Sequence, residues 1–167
     1  MKRSEAVLVI IKPDGIYKHL EGDIFNKFAA AGLQMVAVKV AKPSRALVEK
    51  HYKHIRTEPF FKGVVEYLLG KYHRNTGVVA VVYYGPGAIK RCRDIAGTTN
   101  PEDAKPHTIR AAFGRITTRG VYENVVHVSS DRKEAEHEIK LWFRPDDILV
   151  KLYPEKTGQP PKQRMWI

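Results

Sequence analysis

The sequence predicts an α+β fold in which helices cover a four-stranded antiparallel sheet. Three observations predict it. Two runs, Ala6 to Ile11 (AVLVII) and Val78 to Tyr84 (VVAVVYY), are apolar throughout and rich in branched residues, the pattern of strands buried on both faces. Two further strand-like runs sit elsewhere in the chain, and segments of helical period separate all four. The resulting order is strand, helix, strand, helix pair, strand, helix, strand, helix. It fits a βαββαβ sandwich of the ferredoxin-like type.

Taken in order, the first strand, Ala6 to Ile11, should end in a turn at Lys12-Pro13-Asp14-Gly15. Ile24, Phe25, Phe28 and Ala29 give the first helical spacing, with Gly32 as the residue that ends it. Leu33 to Val40 (LQMVAVKV) alternates well enough for a second strand. Ser44 then caps a helix carrying Leu47, Val48, His51, Tyr52 and Ile55. Pro59 is expected at the first position of a second helix with Phe60, Phe61, Val64, Val65, Tyr67 and Leu68, and the two should form a hairpin.

Gly70 to Gly77 (GKYHRNTG) reads as a loop before the third strand, which Gly85-Pro86-Gly87 breaks. Ala88 to Ala96 reads as a short helix. Thr98 to Pro106 reads as a polar loop with one helical turn, and His107 to Phe113 as another short helix. Arg115 to Glu123 looks irregular.

Asn124 to Asp131 (NVVHVSSD) is a strand, a sharp exit and a helix start. Asp131 makes a good N-cap, and Glu134 three residues later completes a capping box. The helix that follows has an apolar face of Ala135, Ile139 and Trp142. Glu138 lies beside that face, so it should be at least partly buried and in need of a partner, and His127 is the nearest candidate. A histidine between valines is by default a core residue, so this stretch alone does not settle its role.

Past Arg144-Pro145 the regular pattern ends. Residues 1–150 are expected to form one domain and 151–167 an extended tail, without internal repeat or linker.

The chain has 167 residues, with 43% hydrophobic and 28% charged content, ordinary for a globular protein. The formal net charge of +11 points to anionic partners: nucleotides, nucleic acid or an acidic surface. With Cys92 the single cysteine, neither an intrachain disulfide nor a cysteine zinc site is available. The apolar run after Lys2-Arg3 is too short for a signal peptide. No run approaches the roughly 20 apolar residues of a membrane span. A cytoplasmic protein that does not engage membranes is the expectation.

There is no phosphate-binding glycine loop, dinucleotide fingerprint or HExxH motif. Phosphates would have to be held by side chains such as Lys12, Arg93 and Arg110, a point charge and two planar forks.

The motifs then converge. IKPDG at Ile11 to Gly15, HY at His51-Tyr52, PFF at Pro59 to Phe61 and TNP at Thr99 to Pro101 occur in that order. KPHTIR at Lys105 to Arg110, NVVH at Asn124 to His127 and EIKLWF at Glu138 to Phe143 follow. In order and spacing, from about Val7 to Asp147, the chain resembles the nucleoside diphosphate kinases.

The resemblance implies ping-pong transfer of the γ-phosphoryl group of a nucleoside triphosphate to a nucleoside diphosphate, through a phosphohistidine at His127. It places Ser129 and Glu138 beside that histidine and makes Lys12 both catalytic and substrate-binding. It assigns Tyr52, Arg93, Thr99, Arg110 and Asn124 to phosphate and sugar, and Phe60 to base stacking. Mg²⁺ is implied as an ion bound mainly through the nucleotide phosphates, with no dedicated protein ligands. A homo-oligomer, hexamer or tetramer, is implied as well.

Three departures stand out. The family's HGSDS is HVSSD here, so Val128 replaces a glycine, and an ordinary extended backbone is expected at that valine. The family's RGDF is Arg110-Ala111-Ala112-Phe113. Extra residues lie around Lys71 to Asn75 and between Phe113 and Asn124. The rival readings are a basic nucleic-acid-binding protein, using Tyr83 and Tyr84, and a regulatory member of the same scaffold. Nucleic acid is therefore a possible but secondary partner.

Overall fold

The computed structural model describes residues 4–74, 77–118 and 120–158. Strand β1 (Ser4–Ile11) leads into α1 (Pro13–Tyr17) and α2 (Glu21–Ala29), then β2 (Gln34–Ala41). Helices α3 (Arg45–His51) and α4 (Phe61–Leu68) precede β3 (Val78–Pro86), which is followed by α5 (Ala88–Ala96) and α6 (Ile109–Phe113). Two short strands, β4 (Arg115–Ile116) and β5 (Tyr122–Glu123), lead to β6 (Val126–Val128) and α7 (Arg132–Trp142).

The main sheet runs β2-β3-β1-β6 with every neighbour antiparallel, which is the expected ferredoxin-like arrangement. β1 and β3, the two uninterrupted apolar runs, are its central strands. Alternation along them sends side chains to two cores. Val7, Val9 and Ile11 join Val79, Val81 and Tyr83 beneath α2 and α5. Ala6, Leu8 and Ile10 join Val78, Ala80 and Val82 beneath α3, α4 and α7. Ile148, Val150, Leu152 and Tyr153 continue the second core past the last helix. Residues 159–167, the outer part of the expected tail, lie outside the described residues. No helix among the described residues is long and apolar enough to cross a membrane.

Several local expectations need correction. Pro13 does not simply break the chain: it occupies the start of α1, where its missing N–H costs nothing. Phe60 is the N-cap residue of α4, so Pro59 lies outside that helix instead of opening it. α3 ends at His51, and Lys53–Ile55 tightens into a separate 3-10 turn. Arg115 to Glu123 is a small hairpin, with Arg115 opposite Glu123 and Ile116 opposite Tyr122. Asp131 does cap α7 by accepting from Glu134 N at 2.9 Å, but the glutamate turns toward His54 and no reciprocal bond forms.

Val128 has an ordinary backbone: it lies in β6 opposite Val9, nearly fully buried, and is absent from the positive-φ residues. Tyr83 is core, 3% exposed, which removes it from any nucleic-acid surface.

Candidate active site

The site grows from the pairing of β1 with β6. Val126 and Val128 point into the first core, so alternation turns His127, opposite Ile10, toward α3 and α7. Its side chain is 14% exposed, enough for a substrate to reach it. Ser129 N bonds to Leu8 O at 3.1 Å, and Ser129 Oγ accepts from Leu8 N at 3.1 Å, which fixes the exit from the strand.

From α7, Glu138 projects beneath this exit with 1% exposure, as its place beside the apolar face predicts. Ser129 Oγ donates to Glu138 Oε2 at 2.5 Å. Glu138 Oε1 lies 2.9 Å from His127 Nε2, close but bent away from an in-line hydrogen bond. Burial alone would raise this carboxyl, yet the charge and contact of His127, with help from His51 and Ser129, hold it down at about 2. The carboxylate thus faces Nε2 of the ring and not Nδ1.

His51, fully buried at the end of α3, packs edge-on against His127 with ring centroids 4.4 Å apart. Burial, then the neighbouring His127, push its pKa well below the ordinary histidine value, so it is neutral. Its Nδ1 accepts a hydrogen bond from Trp142 Nε1 at 3.3 Å. His51, His127 and Glu138 offer ligand atoms within 4.8 Å of one another, spacing that could suit a metal. The indole N–H aimed at His51 Nδ1 occupies the lone pair of that nitrogen. Tyr52 stands edge-on to His127, ring centroids 6.1 Å apart, with its hydroxyl pushed up by burial.

A cationic wall adjoins the histidine. Lys12, just past β1, donates from Nζ to Asn124 Oδ1 at 2.7 Å, and Asn124 Nδ2 donates to Thr99 O at 2.8 Å. Burial, then Arg110, lower Lys12 to about 7, although Asp14 opposes them. Arg110 Nη1 and Nη2 donate to Gly97 O at 2.7 Å and Val126 O at 3.0 Å. Burial and the Arg93 charge lower it to about 10. Arg93 is exposed on α5 and lines an open groove of about 520 Å³ with Lys90, Gly97, Lys105 and Thr108.

The structure therefore gathers His127, Glu138, Ser129 and Tyr52 into one cluster, and Lys12, Asn124, Thr99 and Arg110 into the wall beside it. Phe60 stands apart, 54% exposed, with no ring contact among the described residues.

Sequence reasoning missed the device that holds the two halves in register. Val125 sits at φ 53°, where a β-branched residue is strained by about 1–3 kcal/mol. Val126 N bonds to Asn124 O at 2.6 Å, closing a tight turn around it. Asp14 Oδ2 accepts from Val125 N at 3.1 Å, and Val125 O accepts from Lys12 N at 2.8 Å. A Cβ on Gly15 would lie 3.2 Å from Val125 O, so glycine lets α1 approach this turn. KPDG was visible as a turn signal, but not its partner 111 residues away.

The extra segments also meet. His73 Nε2 lies 2.9 Å from Glu123 Oε1, and Arg115 Nε donates to Glu123 Oε2 at 2.6 Å. Although burial opposes it, Arg115 and His73 hold Glu123 below the usual carboxylate range. Asn75 and Arg119, within the same segments, lie outside the described residues.

A family model described as nucleoside diphosphate kinase matches residues 5–148. The chain is 40% identical over 149 residues to the nucleoside diphosphate kinase of Pyrococcus horikoshii, covering 89% of this chain and 91% of that one. It is also 40% identical to a Thermus thermophilus enzyme of that name, covering 87% and 99%. Among solved structures, a halophilic nucleoside diphosphate kinase from Halobacterium salinarum in complex with CDP superposes with TM-score 0.79. That pair is 32% identical, with 89% and 93% covered. A transition state mimic of the nucleoside-diphosphate kinase from Borrelia burgdorferi, with bound vanadate and ADP, gives TM-score 0.78 at 31% identity, with 89% and 92% covered.

Proposed function

The chain belongs to the nucleoside diphosphate kinase family, and on that premise we propose that it is an active kinase whose nucleophile is His127. The observation that carries the proposal is the His127–Glu138–Ser129 arrangement: a partly exposed imidazole with one nitrogen against a buried, ionised carboxylate.

His127 Nδ1 attacks the γ-phosphorus of a nucleoside triphosphate; the N–P bond forms as the bond to the β-bridging oxygen breaks, and the diphosphate leaves. The second half-reaction reverses this with a different nucleoside diphosphate as acceptor. Glu138 keeps the proton on Nε2 and stabilises the positive charge that develops on the ring. Ser129 fixes the carboxylate. Lys12, Arg93 and Arg110 neutralise phosphate charge; Tyr52, Thr99 and Asn124 orient phosphate and sugar. Phe60 offers an exposed ring to the base, and stacking suits every base.

Mg²⁺ would be held by the nucleotide phosphates and water. The wall offers cations and amides, while Asp14 and Glu138 are buried behind it, a donor set that fits an ion arriving with the nucleotide. When bound, Mg²⁺ would neutralise charge on the nucleotide phosphates.

The outer edge of β2 supports homo-oligomerisation. Met35, Val38 and Val40 are exposed there, at 38%, 52% and 79%, on a strand that β3 pairs from one side only. A second copy covering that edge is part of the proposal, as is a cytoplasmic site of action. The charge of +11 keeps nucleic acid as a secondary partner.

Initial-rate kinetics test the mechanism. Varying ATP at several fixed concentrations of a second nucleoside diphosphate should give parallel double-reciprocal lines. Intersecting lines would require both nucleotides to bind together and would contradict a phosphoenzyme.

A further inference from the structure

Glu138 Oε1 has two imidazoles within reach, His127 Nε2 at 2.9 Å and His51 Nδ1 at 3.8 Å. The carboxylate can serve as a fixed acceptor for His127 only if His51 does not compete for it. His51 is 0% exposed, and its ring lies edge-on to His127, Tyr52 and Trp142.

What decides the competition comes from α7 itself. Trp142 Nε1 donates to His51 Nδ1 at 3.3 Å, and an indole nitrogen can only donate. His51 Nδ1 must therefore present its lone pair, and the proton of the neutral ring must sit on Nε2. That second nitrogen is buried with no hydrogen-bond partner among the described residues. The fold thus holds His51 in a tautomer that leaves an N–H unsatisfied, a state that is ordinarily unfavourable.

The other tautomer would place a proton on Nδ1, which could turn to Glu138 Oε1. It would also set two N–H groups head to head against Trp142. The indole donor forbids it. Trp142 and Glu138 are four residues apart on α7, so one helix face supplies both the carboxylate and the group that clears its competitor.

We propose that Trp142 and His51 are positioning residues for phosphoryl transfer: the indole N–H locks His51 with its proton on Nε2, and Glu138 Oε1 is thereby reserved for His127. The inference rests on the reading of His127 as nucleophile and adds two residues to which that reading gives no role. Neither touches substrate. They act through Glu138, by keeping the proton of His127 on Nε2 and the lone pair on Nδ1.

The test uses the full-length protein with ¹⁵N-labelled histidine, followed by NMR, together with single-turnover phosphorylation by ATP·Mg²⁺. In the parent protein, His51 should show a protonated Nε2 and an unprotonated Nδ1. Trp142→Phe keeps a buried aromatic ring but removes the donor. In it the His51 proton should move to Nδ1 and the phosphorylation rate should fall about tenfold, the loss of one ordinary hydrogen bond, with nucleotide Kd unchanged.

The double variant Trp142→Phe/His51→Leu carries no competitor for Glu138 and should recover most of the lost rate. A merely structural tryptophan would instead make the double variant worse than the single one. A proton on His51 Nδ1 in the parent protein would overturn the proposal without any variant having to fold. So would an unchanged rate in Trp142→Phe, or no recovery in the double variant. A parent protein that shows the expected tautomer yet forms no phosphoenzyme would overturn the kinase reading instead.

Discussion

At Glu138 one carboxylate performs two tasks with two oxygens, one holding Ser129 and the other facing His127. Glutamine can keep a hydrogen bond but cannot balance positive charge on the ring. Glu138→Gln should therefore slow single-turnover phosphorylation by about tenfold or more, on the order of a lost charge-assisted contact, and leave nucleotide Kd little changed. A rate equal to the parent's would make the carboxylate structural only. Lys12 gives a second expectation. Held at about 7 in the free protein, it is mostly neutral at pH 8. A bound polyphosphate favours its charged form, so binding at pH 8 should take up close to one proton, about 0.9 for that pKa. Calorimetry in buffers of different ionisation enthalpy measures this uptake, and its absence would mean that Lys12 is already charged. Glu138 was legible in the sequence because helical period places it beside Ala135 and Trp142. His51 was not, because a histidine on an apolar helix face reads equally well as core; only the direction of the indole N–H separates the two. Val125 was not legible either, since nothing local marks a valine for positive φ.

Among the elements, the two continuous apolar strands and α7 could be read directly, since period and capping are local properties. α1 and the β4–β5 hairpin could not. The first is five residues long and begins at a proline that also signals a turn, and the second pairs only two residues per strand. The segment joining α5 to α6 shows how an element end shapes the site. Gly97 closes α5 at φ 88°, and its carbonyl accepts from Arg110 Nη1. A Cβ there would lie 2.5 Å from Thr108 Oγ1 and 2.8 Å from Thr108 Cβ, against the residue that caps α6. Gly97→Ala should thus lower stability by about 2 kcal/mol or more, combining strain and overpacking. Because Arg110 moves with that carbonyl, KM for nucleotide should rise as well. Denaturant titration and steady-state kinetics check both, and a variant matching the parent in each would show that the segment yields freely. Val128→Gly should destabilise by about 2 kcal/mol, since it deletes a buried side chain from an unstrained strand.

For the whole molecule, topology and two-faced burial followed from the sequence, whereas the assembly of the site from residues more than 100 apart required the folded chain. That assembly couples stability to pH. His51 has a folded pKa well below its ordinary 6.5, so as pH falls the unfolded chain takes up the proton first and native stability declines. Between pH 6.5 and 5.5 this amounts to about 1 kcal/mol, provided the folded histidine stays neutral. Glu138 acts lower down: its stabilisation is present above the ordinary value near 4.5 and is lost as pH falls toward about 2. Urea titrations at pH 7 and 5.5 should show a decline that His51→Leu lessens; an equal decline in both proteins would assign the proton elsewhere. The central claim, that His127 carries the phosphoryl group, is met most directly by labelling. The protein incubated with γ-³²P-labelled nucleoside triphosphate and Mg²⁺ should yield an acid-labile, base-stable phosphoprotein that surrenders its label to added nucleoside diphosphate. Folded His127→Ala should take up none, whereas label retained by that variant at a near-parental rate would contradict the account.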